Sequence, residues 1–358
     1  MRIGRARLEA AGATPPMNWT TLEYSKGQVD AAGRLLASGT GTQDEIDIAL
    51  DVLNNWRAVH SFPLNTIQMG LRTRARRVHE HALVAQRLKR VPSIVLKLRR
   101  FSSMNLSRMQ DIGGCRAIVE SVNQVRRLRA AYARSEQQHE FVSEKDYISE
   151  PKASGYRGIH LVYRYQSDRN PDYNGRSIEI QLRTRLQHAW ATAVETVGTF
   201  LQQSLKSSEG SEKWLRFFAL TGSAFALTER TQAVPETPHD PRELIDSVRH
   251  LESELDVRKR LSAYGEALKI AEDTQMAKAY YFLLSLTPSQ EALSVFGYQK
   301  EQLERATDHY LQIEKTLAPG AQAVLVAVES LSALKKSYPN YFLDTQVFTM
   351  ALGKVIDR

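Results

Sequence analysis

The run Ser177-Ile178-Glu179-Ile180-Gln181-Leu182-Arg183 alternates without a break, with aliphatic residues on one side and an acid, an amide and a guanidinium on the other. A period of two belongs to a β-strand with one buried face, so this chain must build a sheet and cover one side of it. Two shorter runs accompany it: Arg116–Val119, which follows Gly113-Gly114, and Ile159–Tyr165. Asp168–Arg176, rich in Asp, Asn, Pro and Gly and containing Asn174-Gly175, has the composition of a hairpin connection between the last two runs. The spacing predicts a small mixed sheet flanked by helices over residues 90–190.

Elsewhere the period is helical. Within 20–60, Ile46, Ala49, Leu50 and Leu53 recur at helical spacing. Ser61–Asn65, with Pro63 inside it, reads as a break; helix resumes over Thr66–Arg90, and Pro92 precedes a short amphipathic helix at Ser93–Arg100. Leu186–Leu205 and Trp214–Glu229 read as two more helices. The segment Val234–Pro241 holds three prolines in a polar stretch and is the clearest linker. Beyond it the pattern predicts helices at 242–272, 275–286, 289–317, 319–337 and 343–356. The expected fold class is therefore α/β (α+β), with the sheet and its helices in residues 1–235 and an all-helical domain in 236–358.

Two units also suit a length of 358 residues. The net charge of +8 is concentrated: Arg72, Arg74, Arg76, Arg77, Arg87, Lys89, Arg90, Lys97, Arg99 and Arg100 are opposed in their stretch only by Glu80. Such a field attracts a polyanion, although a solvated helix face gives the same composition. The lone cysteine, Cys115, excludes an internal disulfide or a cysteine zinc site and suits a reducing cytoplasm. No apolar run approaches the roughly 18 residues of a membrane helix, and the charged N-terminus has no hydrophobic stretch behind it, so neither membrane nor signal peptide is expected.

Four segments carry chemistry. Arg87 and Lys89 precede Ser93 and Lys97, which lie one turn apart if 93–100 is helical; cations around a helix N-terminus can cradle a triphosphate. There is no GxxxxGK[ST], so this is not a P-loop site, and alone the segment also reads as a solvated basic helix. Asp111 ahead of Gly113-Gly114 can hold a metal near bound phosphate, or form an ordinary turn. Tyr156, between Gly155 and Arg157 on a loop with Lys145 and Lys152, suits stacking on a base, with His160 on the strand behind; a packed surface tyrosine is the plainer alternative. Glu179, in a row with Gln181 and Arg183, can ligate a divalent cation or accept a proton from a hydroxyl.

Together these segments resemble the synthetase domain of RelA/SpoT alarmone enzymes over about residues 80–195. The family's R-x-K-x-x-x-S-I-x-x-K corresponds to Arg87, Lys89, Ser93, Ile94 and Lys97, and its D-x-x-G-x-R to Asp111, Gly114 and Arg116. Its K-x-x-G-Y-R-x-x-H corresponds to Lys152, Gly155, Tyr156, Arg157 and His160. Its E-x-Q-x-R-T and following H-x-W-A correspond to Glu179, Gln181, Arg183, Thr184, His188, Trp190 and Ala191. The resemblance implies an Mg²⁺-dependent pyrophosphokinase with ATP as donor. Arg87, Lys89, Ser93, Lys97 and Arg116 would bind ATP; Asp111 and Glu179 would be catalytic and hold the metal. Lys145, Lys152, Tyr156, His160, Gln181 and Arg183 would bind the acceptor. The one His-Asp pair, His239-Asp240, lies in the linker, so the HD-type hydrolase of the long family members is not expected.

Near the C-terminus, Tyr338-Pro339-Asn340-Tyr341 resembles the YxxY of the CapRel family of fused toxin–antitoxin proteins. That likeness implies a cytoplasmic enzyme that pyrophosphorylates the CCA end of tRNA. Its C-terminal part would block the ATP site through Tyr338 and Tyr341 until a phage protein such as a capsid subunit releases it. Alternatives are an alarmone synthetase acting on GDP and GTP or on adenosine nucleotides, and a catalytically silent nucleotide- or RNA-binding module. The pair Asp111 and Glu179 argues against the last.

Overall fold

Ser25 and Thr42 begin the first two helices in the same way: each side chain accepts the amide three residues on, and Gln28 or Glu45 bonds back to the cap amide. α1 (Lys26–Ser38) ends at Gly39, whose φ of 67° needs no Cβ, and α2 (Gln43–Val59) ends at His60. The computed structural model describes residues 19–134, 138–204, 210–266, 279–287, 292–299, 302–317, 321–327 and 345–357.

α3 (Ser61–Val78) begins directly after His60, so Ser61–Asn65 is no break. Pro63 sits in the first turn, where an amide has no intrahelical acceptor to lose. The helix expected to continue to Arg90 stops early, and Leu83–Leu88 is a strand, β1. Its residues are good helix formers buried on both faces, so neither propensity nor period shows the strand; pairing imposes it. α4 (Val91–Arg100), β2 (Gly113–Val119), β4 (Ile159–Arg164), β5 (Ser177–Thr184), α6 (Arg185–Ser204) and α7 (Gly210–Glu229) follow as expected. Between them stand α5 (Val122–Arg134) and the polar edge strand β3 (Glu140–Asp146).

The C-terminal part is not all helical. α8 (Pro241–Leu255) and α9 (Val257–Glu266) are separated by Asp256 at φ 49°, and α10 (Leu303–Lys315) and α11 (Gln346–Ile356) are helices. In the ranges read as helix, however, Tyr281–Thr287, Ala292–Tyr298 and Gln322–Ala327 are strands β6, β7 and β8. Short apolar runs such as Tyr281-Phe282-Leu283-Leu284 fit a buried helix and a buried strand equally well. The result is one mixed sheet of order β3-β4-β5-β2-β1-β8-β6-β7, antiparallel except for β2–β5. β8 reaches β1 through Gln86↔Ala327 and Arg87↔Val326.

One face of β1–β5 is closed by α3 and α5 around Leu71, Ala117, Leu128, Ile178, Ile180 and Leu182. A second core joins α6 and α7 to α8, α9 and α11 through Trp190, Phe217, Phe225, Leu261 and Phe348. The proline-rich segment is bound along α7: the Val234 amide donates to Ser223 Oγ (2.8 Å), and Thr237 Oγ1 to the Val234 carbonyl (2.7 Å). Among the described residues no helix is long and apolar enough to cross a membrane.

His60 is buried, with Nδ1 2.7 Å from the Trp56 carbonyl. Burial pushes its pKa down to about 3, with the Trp56 carbonyl opposing and the Arg176 charge assisting. The unfolded chain therefore takes up a proton below the ordinary histidine value of about 6.5 that the folded chain refuses. The His60 contribution should be complete above that value and decline as pH falls towards 3. Thermal melts of His60→Asn, which keeps a donor without a titrating group, should show a flatter pH dependence between about 6.5 and 5 than the parent chain.

Candidate active site

Strand register alone gathers the site. Across the sheet, Arg87 lies opposite Gly114, Gly114 opposite Glu179, and Glu179 opposite Val162; one rung along, Arg116, Gln181, His160 and Lys145 stand in line. Residues opposed in a ladder share a face. Arg87, Arg116, Lys145, His160, Glu179, Gln181 and Arg183 therefore occupy one face, and Cys115, Ile178, Ile180 and Leu182 the other. Burial raises the Cys115 thiol pKa well out of the range of thiolate chemistry.

At one side of this face lies a cluster of lysines around a carboxylate. Asp111 stands just before β2, between Lys89 Nζ and Lys97 Nζ, each 2.9 Å from a different carboxylate oxygen. Lys89 leaves the end of β1; Lys97 is on α4, one turn after the half-buried Ser93. The basic stretch divides here. Arg87, Lys89 and Lys97 belong to the site, whereas Arg72 and Arg74 on α3 lie over the rings of Tyr280 and Tyr132 at 5.8 and 4.9 Å.

At the other side five side chains close a hydrogen-bonded ring. Arg183 Nε donates to Tyr156 Oη (3.1 Å), Tyr156 Oη meets His160 Nε2 (2.5 Å), and His160 Nδ1 meets Glu179 Oε1 (2.8 Å). Gln181 Nε2 donates to Glu179 Oε2 (2.7 Å), and Arg183 Nη2 to Gln181 Oε1 (2.9 Å). Burial raises the Glu179 pKa, but the His160 bond and charge, the Gln181 bond and the Lys89 charge outweigh it and hold the carboxyl down at about 2. A carboxylate only accepts, so His160 Nδ1 donates to Glu179, and in the neutral ring Nε2 accepts the hydrogen bond from Tyr156 Oη. Burial raises the Tyr156 phenol pKa, and its ring lies 5.0 Å from the Arg183 guanidinium carbon and 5.4 Å from Lys152 Nζ.

The Tyr156 loop reaches this position through glycine. Gly155 has φ +96°, and a Cβ there would lie 2.5 Å from the Phe218 carbonyl and 2.8 Å from the Trp190 ring. Lys145 is exposed at the edge of the face. Tyr338 and Tyr341 lie outside the described residues. No sequence pattern points to Glu195 on α6, whose carboxyl pKa burial raises but the charges of Arg87, Arg116, Arg90 and Arg183 pull down below its usual value. A lone acid in an apolar helix carries no motif.

Asp111 and Glu179 are the acids that would hold a divalent cation, and in the structure their four oxygens are engaged by Lys89, Lys97, His160 and Gln181. Lys89 supplies positive charge to both, bonding one and lowering the pKa of the other. Among the described residues no three His, Cys, Asp or Glu side chains gather as a metal site. A cation held by this pair would draw its other ligands from phosphate and water, the usual situation for magnesium.

Residues 86–198 match the family described as "Region found in RelA / SpoT proteins". That region runs from β1 into α6 and holds every residue of the lysine cluster and the ring. The GTP pyrophosphokinase YjbM of Bacillus subtilis (strain 168) is 35% identical over 129 residues, 34% of this chain and 60% of YjbM, so the chain spans less than two thirds of that relative's length. Among solved structures, a GTP pyrophosphokinase family protein from Streptococcus pneumoniae aligns with 47% of this chain and 84% of its own (26% identity, TM-score 0.38). The small alarmone synthetase 1 of Bacillus subtilis bound to pppGpp aligns with 57% of this chain and 94% of its own (23% identity, TM-score 0.36).

The RelA/SpoT region carries a pH signature. The depressed folded-state pKa of Glu179 contributes stability that is present above the unfolded value of about 4.5 and lost as pH falls through about 2. Glu179→Gln should therefore be less stable than the parent at neutral pH, and the gap should narrow as pH falls from 4.5 towards 2. Denaturant titrations across that range read this directly.

Proposed function

We propose that the chain is an ATP-dependent pyrophosphokinase that transfers the β,γ-pyrophosphate of ATP to a ribose 3′-hydroxyl. The observation that carries this reading is the presence, on one sheet face, of a lysine-held carboxylate at Asp111 and an aromatic-basic ring built on Glu179. Phosphoryl transfer asks for positioning and charge more than covalent chemistry. Arg87, Lys89, Lys97 and Arg116, with Ser93 beside them, bind the ATP phosphates. Tyr156 stacks on the acceptor base, with Lys145, Lys152, His160, Gln181 and Arg183 around it. Asp111 and Glu179 would hold magnesium, which would supply charge neutralisation at the transferring group. The acceptor oxygen bonds to the β-phosphorus, the bond to the α-phosphate oxygen breaks, AMP leaves and the hydroxyl proton is released. With a pKa near 2, Glu179 is a weak proton acceptor, so its part is to hold charge and orient His160.

The acceptor in this reading is the CCA end of tRNA. Arg76, Arg77, Arg99, Arg100 and Arg108 are exposed, and phosphate neutralisation supplies most of the affinity for nucleic acid. Free guanosine nucleotides are the second reading, favoured by the name of the curated relative. Residues 236–358 act as the restraint on 1–235, with Tyr338 and Tyr341 closing the ATP side and a phage protein as the releasing partner. In support, α10 is already fixed to the ATP side: Glu314 accepts from the Val91 amide at the start of α4 (3.1 Å) and from Arg57 Nη1 (2.7 Å), while Arg57 Nε donates to the Lys89 carbonyl (2.9 Å).

Purified full-length chain, with ATP labelled on its terminal phosphate and offered both tRNA and GDP plus GTP, should label tRNA. Label on guanosine nucleotides alone would select the second reading, and label on neither, from the parent chain and from the chain with Tyr338→Ala and Tyr341→Ala alike, would sink both. Asp111→Asn and Glu179→Gln should each cost about 100- to 1,000-fold in turnover while remaining folded.

Tyr338→Ala with Tyr341→Ala should raise transfer by about tenfold if the pair restrains the site. An unchanged rate would return both rings to a packing role. The intact chain is the proper subject of this comparison, because ending it at residue 235 would leave the buried Arg57 without Glu314.

A further inference from the structure

Glu229, the last residue of α7, lies outside the RelA/SpoT region and has no part in the ring, yet its carboxylate is almost fully engaged. Arg157 Nη1 donates to Glu229 Oε2 at 2.6 Å, Gln187 Nε2 donates to the same oxygen at 3.1 Å, and Thr184 Oγ1 donates to Oε1. The Arg157 and Glu229 side chains are 1% and 10% exposed. Arg157 Nη1 also reaches Thr231 Oγ1 (3.3 Å), just past the helix end, where Arg230 adopts φ 53°. Thr184 and Gln187 are locked to each other by two reciprocal bonds of 3.1 Å, which fix the corner between β5 and α6.

The chain neighbours of these partners give the arrangement its meaning. Arg157 follows Tyr156, and Thr184 follows Arg183. Tyr156 and Arg183 are the two ring members that meet at 3.1 Å. One carboxylate therefore holds the residue after each of them and sets the distance between the Tyr156 loop and the end of β5. The loop also lies against α7 itself, where a Cβ on Gly222 would fall 2.7 Å from Gly155 Cα. Loop and helix touch backbone to backbone, and Glu229 closes the far end of that contact.

We propose that Glu229 is a positioning residue for the acceptor side, holding Tyr156 against Arg183 through Arg157 and Thr184. This rests on the reading of Tyr156 as the acceptor platform. Because Glu229 touches none of the lysine cluster, its loss should be felt by the acceptor and not by ATP.

The test uses the full-length chain as Glu229→Gln, which removes the charge at constant shape, and as Glu229→Asp, which keeps the charge and shortens the reach. Hydrogen–deuterium exchange should rise over residues 152–158 in both, more in Glu229→Gln, and stay unchanged over 91–100. Steady-state transfer should show the KM for the acceptor, GDP or tRNA as the parent chain prefers, raised on the order of ten- to a hundredfold, with the KM for ATP unmoved.

Unchanged exchange at 152–158, or an equal rise at both segments, would overturn the proposal whatever the activity. Faster exchange at 152–158 with an unchanged acceptor KM would also overturn it. Faster exchange confined to 152–158 in a protein whose parent transfers nothing would leave the positioning in place and remove the transfer reading instead.

Discussion

Strand register is the constraint on which the rest depends. Glu179 lies opposite Gly114 on one side and Val162 on the other, and that pairing puts Arg87, Arg116, His160, Gln181 and Arg183 on the same face. A slip of one residue would turn Ile178 and Ile180 towards the polar groups and bury Glu179 beneath α3 and α5. The apolar core and the candidate site are thus two faces of the same pairing, and neither can be correct without the other. A Cβ at Gly114 would meet only the Glu179 carbonyl oxygen, at an ordinary contact distance of 3.9 Å.

Two buried ion pairs flank the face. Arg57 with Glu314 and Tyr310 braces the segment 89–91 beside the lysine cluster, and Arg157 with Glu229 braces the Tyr156 loop on the other side. Buried pairs repay their desolvation only when the remaining donors and acceptors are satisfied; Arg57 makes further bonds to the Lys89 carbonyl and Asn54, whereas the second pair is satisfied on the Glu229 side and leaves Arg157 Nη2 without a partner. Both second partners, Glu314 and Glu229, come from beyond the RelA/SpoT region. The geometry of that region is therefore held from outside by helices that carry none of its motifs.

What the sequence could disclose followed burial. β5 was legible because one of its faces is buried and the other polar, and its alternation also delivered Glu179, Gln181 and Arg183. β1 was not, because it is covered on both faces and composed of helix formers, and β6 was lost because a short apolar run fits a buried helix and a buried strand equally. The basic stretch was read as one field, but α3 turns Arg72 and Arg74 towards aromatic rings away from the site. Arg57, Glu195 and Glu229 each look like an ordinary charge on a helix. Their partners lie far along the chain, and only the fold brings them together.

The sheet is also assembled out of order. β1 is bordered on one side by β2, which follows it closely, and on the other by β8, which comes from the far end of the chain. On the ribosome the RelA/SpoT region is therefore complete while β1 is still an open edge, with unpaired backbone groups along the strand that carries Arg87. Such an edge invites pairing with another chain. The strand that closes it begins only at Gln322, well after the region ends at residue 198, so nascent chains pass through an interval in which β1 is an open edge.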